Sequence, residues 1–298
     1  METNSKKLIT HNGSFHADDI FAAAALSLML EKKGESLEII RTRDEEIIKN
    51  GDYVFDVGGI YDEKTNRFDH HQIGFKEKGE IGILYSSFGL VWKKFGEELT
   101  GSKKAAKLID TRLVAPVDAF DNGFDLVENK YNISPYFIQH FFLAMRPTWR
   151  ETDLSKDEMF LKCVNFAKEI LSREIIQAKD SILAEEKVIS IYQNTKDKRI
   201  IILDEDYPYE NMLNNFPEPF FIIYPRTTNT WGIKAVREDP KTFKNRKNLP
   251  ESWAGLRDEE LQKITGVSDA VFCHRGLFMA VAKTKEGAIK LAELALSV

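Results

Sequence analysis

The sequence predicts a doubly wound α/β domain built on a mainly parallel sheet, followed by a smaller α+β domain. Three observations carry that expectation. Short β-branched segments alternate with helical ones through the first part of the chain, reactive side chains gather directly after those segments, and a long charged helix then gives way to closely spaced strands.

The first strand is read at residues 8–10, followed by a turn of His, Gly, Ser and Asp residues. An Ala-rich helix over 20–33, closed by Gly34, completes a β-loop-α unit. Residues 37–43 and 53–57 read as short apolar strands, and Arg67, Phe68 and Asp69 as another after a turn at 62–66. Helices are expected over 83–99 and 103–113, separated by Thr100, Gly101 and Ser102, with Pro116 marking the exit from the second. From 156 to 186 the chain is charged and helical, and Phe160, Val164, Ala167, Leu171, Ile175 and Ala178 form one apolar stripe. Strands are then expected at 188–192, 199–203, 220–224, 231–236, 270–272 and 277–282, ahead of a last helix over 285–296. The expected organisation is a metal-binding catalytic domain over 1–150, a connecting helix over 151–186 and a substrate-binding domain over 187–298.

With 298 residues, 43% hydrophobic and 30% charged, the chain has the profile of a globular protein, and disorder, collagen and coiled coil are excluded. Its 42 Lys and Arg against 47 Asp and Glu leave a net charge of −5, so no protein-wide field draws nucleic acid or anionic lipid. A polyanionic substrate has to be met locally. Cys163 and Cys273 stand far apart without a CxxC pairing, which fits a reducing compartment and excludes a disulfide framework or a cysteine zinc cage. The longest apolar stretch, 20–30, falls well short of the roughly 20 residues that cross a bilayer, and the chain runs from its start straight into a strand. A cytoplasmic protein without a membrane partner is expected.

Four of the 6 histidines fall into two tight groups, His11 with His16 and Asp18, and Asp69 with His70 and His71. Both groups follow expected strands. In an open α/β sheet, ligands collect beyond the carboxyl ends of the strands, so these groups share one crevice with the strand-end Asp56. Asp118 and Asp121, in the segment VDAFDNG, are later additions. Imidazoles mixed with carboxylates suit divalent cations, and the collection is too rich for one structural ion. Two cations joined by carboxylates would clamp an in-line attack on phosphorus, which makes phosphoester hydrolysis the expected chemistry. The mixed donor set favours manganese, with magnesium still open.

The ordered set His11-x4-His16-x-Asp18, Asp56, Asp69-His70-His71 and Asp118 resembles the DHH phosphoesterase superfamily. More closely, HNGSFHADDIFA, VFDVGG, FDHHQ, VDAFDNG, PESWAGLR and VFCHRGLFMA together resemble the MYG (melanocyte proliferating gene) family across nearly the whole chain. The resemblance implies that His11 and His16 hold one metal, Asp18 and His70 the other, that Asp56 bridges them, and that His71 faces the phosphate. Asp69, His70 and His71 are accordingly the expected catalytic residues. The superfamily's last carboxylate falls on Asp118 by position or on Asp121. One departure stands out: most of the superfamily has Asp where His16 stands, at a spacing shorter by one, so metal preference does not transfer.

The resemblance further implies a nuclease that trims single-stranded RNA or oligonucleotides from the 3′ end, with a C-terminal domain holding the strand. Arg226, Lys234, Arg237, Lys241, Lys244, Arg246 and Lys247, against Glu238 and Asp239, give one stretch a surplus of positive charge, and Trp231 and Phe243 interleave it. Arg226, Lys244 and Arg246, with His71 and the turn residues His274 and Arg275, are the expected substrate contacts. A phosphatase or pyrophosphatase acting on a small phosphate compound and a non-catalytic metal-binding regulator are the alternatives, and a homodimer stays open. Asp19 reads as a helix-start residue favouring the macrodipole, His140 as structural, and Asp204 to Asp206 as a solvated turn. Trp253 reads either as a substrate-facing residue or as a loop anchor.

Overall fold

The computed structural model describes residues 5–239 and 241–298; the segment 1–4, ahead of the first expected strand, lies outside the described residues. The chain divides between Lys179 and Asp180 into two compact units.

In the first unit, β1 (Lys6–Thr10) leads into α1 (Ala17–Lys32), β2 (Leu37–Arg41), the short α2 (Glu45–Lys49) and β3 (Tyr53–Phe55). A small hairpin follows, β4 (Tyr61–Asp62) and β5 (Arg67–Phe68). The sheet order is β2-β1-β3-β5-β4, parallel except for the β4–β5 pair. The step from β1 to β2 and the return past β1 to β3 run in opposite directions, so right-handed crossovers put α1 and α2 on opposite faces. Ile9, Val54 and Val57 on one face pack against Ile40 and against Ile48 of α2. α1 is apolar nearly all round because it is buried nearly all round. Its Phe21 stacks on Phe88 of α3 (Ser87–Thr100) at 5.1 Å between ring centres.

After α3, α4 (Lys103–Ile109) runs through a wider π turn at Asp110–Val114 into α5 (Ala115–Asp121). This corrects the exit expected at Pro116. The proline stands in the first turn of α5, where no N–H is required, and the π turn absorbs its ring. VDAFDNG is therefore mostly helix rather than a loop after one. α6 (Ile138–Ala144) starts at Phe137, and His140 has the structural part expected of it: its Nδ1 accepts the Phe137 N–H at 2.9 Å.

α7 (Lys156–Asn194) is the long helix of the stripe, and it runs on through 188–192, where a strand was expected. Ala184, Val188 and Tyr192 recur every four residues and are all buried, a helical period that a short β-branched run conceals. The second unit continues with β6 (Ile200–Ile202), α8 (Glu210–Leu213), β7 (Phe221–Arg226) and β8 (Thr230–Ala235), then α9 (Asp258–Thr265), β9 (Ala270–Cys273), β10 (Met279–Ala282) and α10 (Lys285–Ser297). Its sheet order is β6-β7-β8-β10-β9, with β6 parallel to β7 and the remaining pairs antiparallel. Alternation along β7 serves both faces: Phe221 and Ile223 pack with Leu291 of α10, and Ile222 packs with Val188 of α7. Trp253 is buried in the first of these clusters, so it anchors its loop. Among the described residues no helix is long and apolar enough to cross a membrane.

Candidate metal centre

The strand order of the first sheet reverses between β1 and β3, and the carboxyl ends of those strands are where the reactive side chains meet. His11 directly follows β1. Its Nδ1 lies 2.9 Å from the Asn12 carbonyl, so with the proton on that nitrogen Nε2 carries the free lone pair. Nε2 is 3.1 Å from Asp56 Oδ2 and 3.3 Å from Asp19 Oδ2. A lone pair facing two carboxylates needs positive charge between them, from a proton or a cation. Burial disfavours the imidazolium, but hydrogen bonds to Asp19 and Asp56 outweigh it and push His11 up to about 10.

His16 stands at the start of α1 in extended conformation, and its N–H donates to Asp19 Oδ1 at 2.9 Å. Asp19 is thus more than a helix-start charge, because its second oxygen faces His11. Asp18 accepts the Ser87 hydroxyl on Oδ2 at 2.7 Å. Asp56, just past β3, has φ +55°, a left-handed backbone that costs a non-glycine residue on the order of 1–3 kcal/mol. That conformation turns one carboxylate toward three imidazoles: Oδ1 lies 3.5 Å from both His70 Nε2 and His71 Nδ1. Burial alone would raise the Asp56 carboxyl, but hydrogen bonds from His11 and His70 hold it well below the usual range.

Past β5, Asp69 faces inward. It accepts the N–H of Gly59 at 2.6 Å, the N–H of His71 at 3.0 Å and His71 Nδ1 at 2.9 Å. Asp69 therefore positions His71 and belongs to none of the ligand groups. The His71 side chain is 63% exposed. From α5, Asp121 Oδ2 comes within 3.3 Å of His70 Nε2. Asp118, the carboxylate favoured by position, turns the other way and accepts Ser86 N–H at 3.1 Å, Gly89 N–H at 3.1 Å and the Ser86 hydroxyl at 2.5 Å. It ties α5 to the start of α3, where Gly89 must be glycine because a Cβ would come within 2.3 Å of the carboxylate. Burial pushes Asp118 up to about 8 although these hydrogen bonds oppose it.

Three ligand groups result: His11, His16 and Asp56; Asp56, His70 and His71; His16, Asp18 and Asp121. Within each group the donor atoms lie within 4.8 Å of one another, and the groups share Asp56 and His16. Four buried atoms here, Asp18 Oδ1, Asp19 Oδ2, Asp56 Oδ1 and His70 Nε2, make no well-aligned hydrogen bond among the described residues; the last three have only ion-pair contacts of 3.3–3.5 Å within the cluster. Buried polar atoms are almost always paired, so a cluster of such atoms in a set of hard and borderline donors fits divalent cations. Asp18 is pushed well above the ordinary carboxylate range, first by burial and then by the charges of Asp56 and Asp121. A cation would relieve that repulsion. All residues of the three groups but Asp18 line an open cleft of about 870 Å³ that also carries Ser14, Asn122 and the exposed Arg43. Arg43 was not singled out from the sequence, although its place two residues past β2 puts it on the same carboxyl edge.

The second unit treats its expected substrate contacts unevenly. Arg275 is exposed in the turn after β9, and His274 Nδ1 accepts the Gly276 N–H at 2.9 Å. Arg226 ends β7, and Lys244 pairs with Glu238 at 2.8 Å. Arg246 is a correction: its guanidinium donates to the carbonyls of Asn214, Phe216 and Pro219, so it braces backbone that lacks other donors.

Fold and site together define an α/β protein with a histidine–carboxylate centre suited to divalent cations at its switch point. The chain belongs to the MYG1 exonuclease family, described as an uncharacterised protein family (UPF0160), whose model matches residues 7–296. The human protein named MYG1 exonuclease is 31% identical over 97% of this chain and 85% of its own length. The MYG1 protein C694.04c of Schizosaccharomyces pombe is 28% identical over 98% of both chains. The MYG1 protein YER156C of Saccharomyces cerevisiae is 29% identical over 98% of this chain and 96% of its own.

Proposed function

We propose that this chain is a metal-dependent phosphodiesterase of the DHH type that removes nucleotides from the 3′ end of single-stranded RNA or short oligonucleotides, with manganese as its preferred ion. The observation that carries the reading is the sharing of Asp56 between two ligand groups, the arrangement a bridged pair of cations requires. Relatives named MYG1 exonuclease in human and rat support the nuclease part.

Bound there, two divalent ions supply the Lewis acidity that activates water near neutral pH and neutralises charge on the phosphoryl oxygens. The chain's own residues do the positioning. Asn12 fixes the His11 ring so that Nε2 faces the cleft carboxylates, and Asp69 fixes His71, whose exposed ring faces a phosphate oxygen. Arg43 adds a cation at the cleft wall. The second unit's own proposed contacts with nucleic acid are Arg226, Lys244, His274 and Arg275.

The test is hydrolysis by chelator-stripped protein refilled with manganese or magnesium, against end-labelled single-stranded RNA, matched DNA and pyrophosphate. Stepwise shortening of the RNA that disappears in Asp56→Asn is the expected result. Pyrophosphate turnover without shortening moves the substrate to small phosphates, and silence on all three with metal bound overturns the reading.

A further inference from the structure

Beside the metal cleft lies a second cavity of about 520 Å³, and the two share Arg43, Val57 and Gly58 along their common edge. Its origin is local. The crossover from β2 to β3 is made by α2, only five residues long, so it spans roughly 7 to 8 Å and leaves part of the sheet face open. The partly buried Ile48 and Ile60, 55% exposed, make an accessible apolar wall over the buried Val54 and Val57. Arg43, Lys49 and Arg67 supply three cations against the single carboxylate of Glu45. The Arg67 charge is held in place, its guanidinium donating to the carbonyls of Thr65 at 3.0 Å and Lys49 at 3.1 Å. The side chains of Arg43 and Lys49 have no hydrogen-bond or ion-pair partner among the described residues. Gly58 borders both cavities at φ +95°, so no side chain stands on that part of the edge between them.

An apolar wall of base size, rimmed by unpaired cations and opening into a phosphoryl site, has the chemistry of a nucleotide subsite. We infer that this groove binds the nucleotide adjoining the one at the metal centre, with its base on Ile48 and Ile60 and its internucleotide phosphate on Arg43 and Lys49. The inference rests on the phosphodiesterase reading and adds a length preference to it. A trinucleotide is the shortest substrate that presents a second internucleotide phosphate while the first is at the metals, so the gain in affinity falls between dinucleotide and trinucleotide.

The test compares wild type with Lys49→Glu, an exposed position outside the metal cleft. Measured are KM for di-, tri- and pentanucleotides, hydrolysis of bis(p-nitrophenyl) phosphate, and binding of a fluorescent pentanucleotide to the same proteins carrying Asp56→Asn. The expected result is a KM step from two to three nucleotides in wild type that shrinks by about fivefold or more in Lys49→Glu. The chromogenic diester should be turned over alike by both. An equal step in both proteins overturns the subsite, as does a Lys49→Glu effect confined to oligomeric state, which would assign the groove to a second copy. If wild type hydrolyses nothing, the phosphodiesterase reading fails separately, and pentanucleotide binding unchanged by Lys49→Glu overturns the groove on its own.

Discussion

The edge of the first sheet and the basic stretch of the second unit both stand out in the sequence, yet they differ in what their charges do. At the sheet edge, carboxylates and imidazoles converge from β1, β3, β5 and α5, and four of their buried atoms make no well-aligned hydrogen bond. In the basic stretch three of the seven cations already have partners: Arg246 holds three carbonyls, Lys244 pairs with Glu238, and Lys234 pairs with Glu210 at 2.9 Å. Buried groups that lack well-aligned hydrogen bonds are costly, so a cluster of them suits a divalent cation, whereas paired charges need no such explanation.

The sharpest way to break this contrast is Asp56→Asn. Loss of the shared carboxylate should abolish turnover, well beyond the roughly 10–100-fold typical of outer-shell changes, while circular dichroism stays native. Activity near that of wild type in a folded variant would remove the bridging role. Next in size is Asp69→Asn, which removes no ligand side chain but frees the His71 ring, itself a member of one ligand group. A fall of about 10–100-fold is expected in activity or in metal affinity.

The carboxylates of α5 sharpen the comparison within the site itself. Asp121→Asn should weaken metal binding, whereas Asp118→Asn should leave metal binding and activity near wild type. Asp118→Asn should change stability with pH instead. The folded Asp118 carboxyl holds its proton up to about 8, against an ordinary value of 3.8. Between those values the unfolded chain ionises while the folded one does not, so stability falls as pH rises through that window. An amide at this position has no such proton to keep, and chemical denaturation of the variant should show a flatter profile from about pH 5 to 8. An unchanged profile would place the Asp118 proton elsewhere.

The smallest effects belong to the basic stretch. Arg246→Ala should lower stability by about 1–3 kcal/mol by removing its hydrogen bonds to three partly buried carbonyls, without changing the salt dependence of RNA binding. Lys244→Ala should stay within about 0.5 kcal/mol of wild type in stability. A steep drop in salt dependence for Arg246→Ala would return that residue to the substrate.

Much of the site was legible because its chemistry follows strands. His11, Asp56 and His70 stand where short β-branched runs stop, and a parallel sheet gathers such ends whatever their separation in sequence. Helix phase was harder to read. Asp118 and Asp121 lie one turn apart, and only the continuation of the helix through Pro116 decides that one caps α3 while the other faces His70. Asp19 was hidden beside Asp18, because a carboxylate at a helix start satisfies the backbone whether or not its second oxygen does anything else. The three carbonyls that Arg246 braces lie about 30 residues away in sequence, where charge patterning offers no sign of them. The run at 188–192 read as a strand because Val, Ile and Tyr fit both periods; its alignment with Ala184 favours the helix.

Manganese titration of chelator-stripped protein, followed by electron paramagnetic resonance, tests the shared centre most directly. Two ions per chain with a spin-coupled spectrum, reduced to uncoupled signals in Asp56→Asn, is the predicted result. A single uncoupled ion that Asp56→Asn leaves unchanged, or no binding at all, would contradict it.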